Sequence, residues 1–362
     1  MRLAGIDILR GYAVTTVIIY HFYVLLDLST VASFHYIHAL GQLGVSLFFI
    51  ISGYLIYRSI EHNITQKGIA TGIKYYTLHR LLRILPAYYF NLIIVIILAY
   101  FIFHTMEGWS FTFILKQIIT HLTFTSFLLY QDTGFDINGV YWTLSIEMLW
   151  YILAPFLFLY SKTNKTLLIL FVLSVIYLIC IDLGWMAWLF HLDKHMPNYI
   201  GMLYFYSFQL PGQLVYFITG IFIYKNIKHH IRLPHFIYYS LTLLIVLTFI
   251  YLSNQTFYQA SFTLQNLVIL FTMGSLFILL HQYYTKNLFI LAWVGKISYS
   301  LYLWHMPILY SIKKYLLPYG YTWWIIISIF ILSLFILSSL SYYYIESYGF
   351  SLRKKLEKRI DT

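Results

Sequence analysis

Apolar runs of about 20 residues recur along this 362-residue chain and constrain its fold more than any other feature. As a helix, a run of that length crosses the roughly 30 Å hydrocarbon core of a membrane. At 61% hydrophobic and 10% charged residues, the chain departs strongly from the composition of a soluble domain. The sequence therefore predicts an all-α, polytopic integral membrane protein and excludes a soluble enzyme. Ten predicted spans lie near residues 9–26, 41–58, 86–104, 142–160, 166–182, 206–224, 235–252, 262–281, 290–311 and 322–345.

The distribution of basic residues decides how an eleventh apolar stretch, 111–130, is placed. Ten spans with a cytoplasmic N-terminus put 19 of the 23 lysines and arginines on the cytoplasmic side, as the positive-inside rule requires. A further span at 111–130 would move several basic loops to the opposite side. We therefore expect both termini to be cytoplasmic and 111–130 to be an interfacial or re-entrant helix. The predicted domains are a transmembrane domain at 1–346 and a basic cytoplasmic tail at 347–362, lying against the inner leaflet.

Several functional classes lack support in the sequence. The net charge of +11 does not indicate a nucleic-acid partner, because the basic residues are spread between apolar segments. The single cysteine, Cys180, lies in an apolar run and cannot form an internal disulfide. Serine-hydrolase, zinc-protease, P-loop and dinucleotide-binding motifs are missing from the sequence, and we expect no metal cofactor.

Ionisable side chains inside a bilayer are costly, so each one is a candidate functional residue. Arg10 and His21 in the first span are eleven residues apart, which is about 16 Å and close to three helical turns. They therefore share one helix face, with Arg10 at the inner surface and His21 near the bilayer centre. His21 is a candidate general base; the alternative is a core histidine that bonds to a neighbouring hydroxyl.

Arg80 and Arg83 lie at positions i and i+3 of a helix that enters the membrane near Pro86. Two guanidinium groups on one face suit a ligand with several phosphates, and coenzyme A is a natural cytoplasmic candidate. Ordinary positive-inside anchoring is the alternative explanation of this pair.

Glu147 and His305 are the other candidates inside predicted spans. Glu147 has no charged neighbour within four positions, so it needs a partner from another helix. His21 is one candidate, and a structural carboxylate bonded to hydroxyls or backbone is the alternative. His305 lies roughly 13 Å beyond Lys296 along its helix and could line the same cavity. It could also have only a packing role among the aromatic residues Tyr299, Tyr302 and Trp304.

Five sequence blocks in order resemble the acyltransferase-3 family of integral-membrane O-acyltransferases. They are GIDILRGYAVTTVIIYHF (5–22), GVSLFFIISGYLI (44–56), RLLR (80–83), YWTLSIEMLWYILAP (141–155) and GKISYSLYLWHMPI (295–308). Thr143 stands where the family often has serine, which keeps the hydroxyl. The periplasmic hydrolase-like domain of some relatives is absent from this sequence, so we expect the chain to work alone or with a separate partner.

This resemblance implies transfer of an acyl group, most often acetyl, from cytoplasmic acyl-CoA to a sugar hydroxyl of a bacterial surface polysaccharide such as lipopolysaccharide O-antigen. The implied location is the bacterial inner membrane, with acyl-CoA, a surface glycan or lipid-linked sugar, and membrane lipid as partners. His21 and Glu147 are the implied catalytic residues. Arg10, Arg80 and Arg83 would bind the phosphates of acetyl-CoA, the acyl donor. The remaining implied site residues are Asp7, Trp142, Ser145, Tyr151, Tyr302 and His305.

Two mechanisms and a second function remain open at this stage. His21, oriented by Glu147 or by packing of the first helix around Asp7, would act as general base, or it would carry the acyl group in a relay. A polysaccharide or small-molecule exporter with a proton-linked cavity is the alternative function. On the outer side, Trp109, Trp185 and Trp188 could stack on sugar rings or belong to an interfacial aromatic belt.

Overall fold

The structure is a computed structural model that describes residues 4–28, 37–128, 137–160, 163–196, 198–226, 235–254, 261–282 and 288–361. The secondary structure of these ranges is helical, without strands. In chain order the α-helices are α1 (Ala4–Leu25), α2 (Ile37–Lys67), α3 (Ile69–Ile97), α4 (Phe111–Leu122), α5 (Trp142–Tyr160), α6 (Asn164–Asp182), α7 (Trp185–Leu189), α8 (Tyr199–Phe208), α9 (Leu210–Asn226), α10 (His235–Asn254), α11 (Phe262–Gln282), α12 (Phe289–Lys296), α13 (Ser298–Tyr315), α14 (Trp323–Leu340) and α15 (Ser347–Asp361). Short π-helices follow α3 at Leu98–Ile102 and α14 at Ser341–Glu346.

Seven helical segments within the described residues are long and apolar enough to cross a membrane. They confirm the predicted class, an all-α polytopic membrane protein. The other three predicted spans correspond to α9, to α10 and to the pair α12 and α13. The count of ten spans and the cytoplasmic placement of both termini stay predictions.

The stretch predicted to be interfacial or re-entrant forms the short helix α4. Ser110 caps its first turn, because the Ser110 hydroxyl accepts a hydrogen bond from the backbone N–H of Phe113 at 3.2 Å. Twelve residues of helix extend about 18 Å, which is too short for the hydrocarbon core. A short 3₁₀ turn follows at Ser126–Leu128, and positions 129–130 of the predicted stretch lie outside the described residues.

The helices form two compact units, each made from separated parts of the chain. The first unit comprises Met1–Tyr20, Ala32–Arg58 and Ile152–Lys296. Its helices approach closely at glycines: a Cβ on Gly295 would lie 1.6 Å from the carbonyl oxygen of Asp7, and one on Gly53 would lie 2.0 Å from that of Phe217. Only glycine permits this backbone contact, which is how helices pack tightly where water does not drive their association.

Neutral polar groups join helices inside the first unit. The buried Asn266 side-chain oxygen accepts hydrogen bonds from the Tyr216 hydroxyl at 2.8 Å and from the Gln42 amide at 3.5 Å. Such interhelical bonds between uncharged groups satisfy polar atoms without the desolvation cost of a buried charge.

The second unit comprises His21–Val31, Ser59–Tyr151 and Ile297–Thr362. A tyrosine joins two of its helices. The carbonyl oxygen of Tyr151 in α5 receives no helix hydrogen bond from position 155, because the residue there is proline. The Tyr76 hydroxyl donates to that oxygen instead, at 3.0 Å, and so joins α3 to α5. The contact brings residues 74–83, the basic segment of α3, next to the part of α5 that carries Glu147.

Candidate active site

Two predicted histidines meet inside the second unit. The distance from Nδ1 of His21 to Nε2 of His305 is 3.3 Å, and the two ring centroids are 5.1 Å apart. His305 is completely buried, while His21 is half-buried. The end of α1 and the middle of α13 therefore present these rings to each other, although 284 residues separate them in sequence.

The hydrogen bonds of His305 fix the direction of this contact. Its Nδ1 lies 3.3 Å from the backbone carbonyl oxygen of Leu301, which can only accept, so Nδ1 carries the proton. In the neutral imidazole, Nε2 is then the acceptor and His21 donates from Nδ1. The same arrangement leaves the lone pair of His21 on Nε2, the tautomer that a general base requires.

Tyr302 supports the histidine pair from one turn earlier on α13. Its ring centroid lies 5.7 Å from that of His305. Its hydroxyl is 2.7 Å from the Thr143 hydroxyl and donates to the backbone carbonyl oxygen of Val140 at 3.1 Å. The hydroxyl retained at Thr143 thus takes part in joining α13 to the start of α5.

Glu147 lies in the same unit, among tyrosines and arginines. Its Oε1 accepts a hydrogen bond from the Tyr151 hydroxyl at 2.7 Å. The Arg80 guanidinium carbon lies 5.8 Å from the ring centroid of Tyr151, which is cation–π distance. Arg80, Arg83 and Glu147 all interact electrostatically with the Tyr151 hydroxyl. The predicted basic pair and the predicted carboxylate are therefore neighbours across one tyrosine.

Tyr302 connects this charged group with the histidine pair, because Glu147 also interacts electrostatically with the Tyr302 hydroxyl. The second unit thus contains seven of the predicted residues in these linked contacts: His21, Arg80, Arg83, Glu147, Tyr151, Tyr302 and His305. The sequence predicted that Glu147, or packing around Asp7, orients His21, and this stays a prediction; the structure adds a hydrogen bond between His21 and His305. The roles themselves stay predictions.

Asp7 and Arg10 belong to the first unit. Nη1 of Arg10 lies 3.4 Å from Oδ1 of Asp7, one turn earlier on α1. Both residues are largely buried, and this spacing is the usual one for an ion pair along a helix.

The other predicted cavity residues have mainly local contacts. The Trp142 ring centroid lies 5.2 Å from that of Phe127, and the Ser145 hydroxyl is 3.5 Å from that of Ser126. Of the outer tryptophans, Trp188 is 78% exposed, as either a sugar platform or a membrane belt would be.

Two residues that the sequence analysis did not select also belong to the second unit. Tyr76 bridges α3 and α5, and its position one turn before Arg80 could have indicated this. The buried Glu346 accepts a hydrogen bond from Ser300 at 2.5 Å and ends the π-helix that follows α14. The cost of burying a carboxylate would have selected it as well, but the residue fell at the boundary between the last predicted span and the tail.

Comparison with known proteins identifies the family of the chain. The family model for an acyltransferase domain, acyltransferase-3, matches residues 3–343. The chain belongs to this family. No solved structure matches the chain at a significant level.

The relatives of known name extend well beyond the matched part. O-acetyltransferase OatA of Staphylococcus aureus strain NCTC 8325 is 27% identical over 98% of this chain and 57% of its own length. A second S. aureus protein, from strain COL, whose name gives O-acetyltransferase as a provisional activity, is 27% identical over 95% of this chain and 56% of its own length. The chain thus spans a little over half the length of these relatives.

Proposed function

We propose that this protein is a membrane O-acyltransferase that moves an acetyl group from coenzyme A to a hydroxyl of a surface glycan. The observation that carries the proposal is the hydrogen-bonded pair of His21 and His305 in a chain of the acyltransferase-3 family. The names of the relatives support acetyl as the acyl group. Location in a bacterial inner membrane, and an acceptor such as lipopolysaccharide O-antigen, belong to the same proposal.

In the proposed reaction, Nε2 of His21 takes the proton of the acceptor hydroxyl. The oxygen attacks the carbonyl carbon of the acetyl thioester, a C–O bond forms, and the C–S bond breaks with its electron pair leaving on sulfur. The proton on His21 then passes to that thiolate, so the products are an ester and free coenzyme A. His305 keeps the His21 ring in the required tautomer throughout.

Arg80 and Arg83 are proposed to bind the donor phosphates. Guanidinium groups match phosphate oxygens in two-pronged hydrogen bonds, and the pair lies beside Tyr151 and Glu147. An acyl-histidine relay remains the alternative to direct transfer, and mass spectrometry of the intact chain after rapid mixing with the donor alone would distinguish the two, because only the relay places an acetyl group on His21 before the acceptor is added.

The test is the O-acetyl content of the surface glycan, measured by NMR, in cells that lack the gene. The cells are complemented with wild type or with His21→Ala at matched membrane levels. We expect the acetyl signal to return with wild type alone, and the shifted sugar proton then identifies the acceptor hydroxyl. Full acetylation by His21→Ala would refute the role of His21. Restored export of an unacetylated polymer by wild type would favour the exporter instead.

A further inference from the structure

The C-terminal helix α15 packs lengthwise against the basic segment of α3. Near its start, a Cβ on Gly349 would lie 2.3 Å from the carbonyl oxygen of Leu82, so the two backbones touch there. Further along, the backbone oxygen of Glu357 accepts a hydrogen bond from Tyr75 at 3.2 Å. Residue numbers rise along α15 as they fall along α3, so the helices are antiparallel. Arg353 lies between the two contacts, beside the turn of α3 that carries Arg80.

One hydrogen-bond donor of the Arg353 side chain has no acceptor in the described part of the chain. Its Nε is 3.6 Å from Oε1 of Glu357, an ion pair longer than a hydrogen bond. This Nε is buried and makes no hydrogen bond within the described part of the chain. One third of the side chain is nonetheless exposed, so other atoms of Arg353 can reach a ligand.

Positive charge exceeds negative charge at this place. Arg80 and Arg353 both interact electrostatically with His79, and Arg83 lies one turn from His79 on α3. The carboxylate among them is that of Glu357, which also bonds to Nε2 of His79. With Glu147 beside Arg80 and Arg83, three guanidinium groups face two carboxylates, and this excess of positive charge favours a ligand with several negative charges.

We propose that Arg353 is a third arginine of the donor site and binds the 3′-phosphate of coenzyme A. This inference rests on the proposed function. Coenzyme A has a diphosphate next to its thioester arm and a separate phosphate on the ribose. Arg80 and Arg83, beside Tyr151 and Glu147, are placed for the diphosphate. Arg353 approaches from the opposing helix and takes the second anionic group, and it exchanges the Glu357 carboxylate for phosphate as the donor binds.

The test is equilibrium binding of coenzyme A and of 3′-dephospho-coenzyme A to the purified full chain, by calorimetry. Wild type should bind coenzyme A about tenfold more tightly than the dephospho form. Arg353→Gln should lose this preference, with its affinity for the dephospho form unchanged. The control is Lys354→Gln, which removes the same charge from an exposed position of α15 and should behave as wild type.

Glu357→Gln should change the affinity for coenzyme A in the opposite direction from Arg353→Gln. Removing the competing carboxylate should tighten binding of coenzyme A about threefold, because the amide can still bond to His79 while Arg353 is released. A purely structural Arg353–Glu357 pair would instead leave affinity unchanged or lower it, and that result would overturn the proposal.

The outcomes separate this inference from the proposed function. Wild type that binds neither nucleotide contradicts coenzyme A as the donor. Wild type that binds both equally, or an Arg353→Gln variant that keeps the preference, contradicts the role of Arg353 alone. Thermal unfolding confirms that each variant is folded; if Arg353→Gln is not, Arg353→Lys decides, since a single-point ammonium should retain only part of the preference.

Discussion

Both units of this protein are built from apolar helices, but the contacts that join those helices differ between the units. In the first unit, helices touch backbone to backbone at Gly295 and Gly53, and neutral groups such as Asn266 join them. In the second unit, contacts between helices involve ionisable side chains: His21 with His305, and His79 with Glu357.

This difference indicates a division of labour. Close glycine packing gives many dispersion contacts and has little tolerance for added atoms, as expected of a scaffold. Ionisable groups in an apolar setting lower stability unless they are paired, so we expect the chemistry in the second unit, where His21 and His305 meet. The predictions below test that assignment, from the largest expected effect to the smallest.

Replacing a histidine should give the largest difference in activity between the two units. His21→Ala should lower the rate of acetyl transfer by about 10³-fold, within the range for loss of a general base. His281→Gln, a histidine of the first unit that lies near Tyr54, should change the rate less than about twofold. Initial rates in membranes with matched protein levels provide the measurement. Equal losses in both variants would remove the functional distinction between the units.

Adding one methyl group should test the scaffold. Gly295→Ala places a Cβ against the Asp7 carbonyl oxygen and should lower the free energy of unfolding by about 1–3 kcal/mol. The matched control is Gly274→Ala in the same unit, where the nearest atom is 3.7 Å from the new Cβ and little change is expected. Thermal unfolding of the purified chain measures both, and similar melting temperatures would argue against tight packing at Gly295.

Removing the partner of His21 should affect turnover and leave donor binding intact. His305→Asn should lower kcat by about 10- to 100-fold, because the His21 ring loses the acceptor that fixes its tautomer. The KM for the donor should stay within about twofold. A purely structural role for His305 would show as lost folded protein with normal kcat per folded molecule.

Arg80→Lys should distinguish a phosphate site from membrane anchoring. Lysine keeps the charge and loses the two-pronged geometry, so the donor KM should rise about tenfold if Arg80 binds phosphate. Anchoring alone predicts no change. Lys165→Gln, at an exposed basic position of the first unit, is the control and should leave the donor KM unchanged.

The smallest effect expected near neutral pH concerns a buried histidine of the second unit outside the long apolar spans. Burial lowers the pKa of His121 to about 4, although its Nδ1 donates to the Gln117 carbonyl oxygen at 2.8 Å. The unfolded chain takes up a proton near pH 6.5, and the folded chain does not. The burial of His121 should therefore cost no free energy of unfolding above pH 6.5. Between pH 6.5 and 4 it should lower the free energy of unfolding by up to about 1.4 kcal/mol per pH unit.

His121→Gln should weaken that dependence, which melting curves at pH 7, 6 and 5 would reveal. Identical pH dependence in wild type and variant would contradict the burial argument. A confirmed effect would sharpen the comparison between the units, since it shows that the second unit also buries a histidine for structure alone.

Much of the candidate site was accessible from the sequence because charges inside apolar runs are conspicuous. His21, Glu147 and His305 were selected for that reason, and Arg80 and Arg83 by their helical spacing. Their roles still await the experiments above. Glu346 was missed because it lies where an apolar span passes into a basic tail, so composition alone did not mark it as buried.

The sequence by itself determined the membrane class, the position of most helices and the family, because each depends on local hydrophobicity or on ordered motifs. The tertiary structure alone decided which residues are neighbours. It placed His305 beside His21 and Arg353 beside the basic segment of α3, and it assigned Arg10 to a pair with Asp7. The physical reason is that a hydrogen bond acts over about 3 Å in space, whereas these partners lie up to 284 residues apart along the chain.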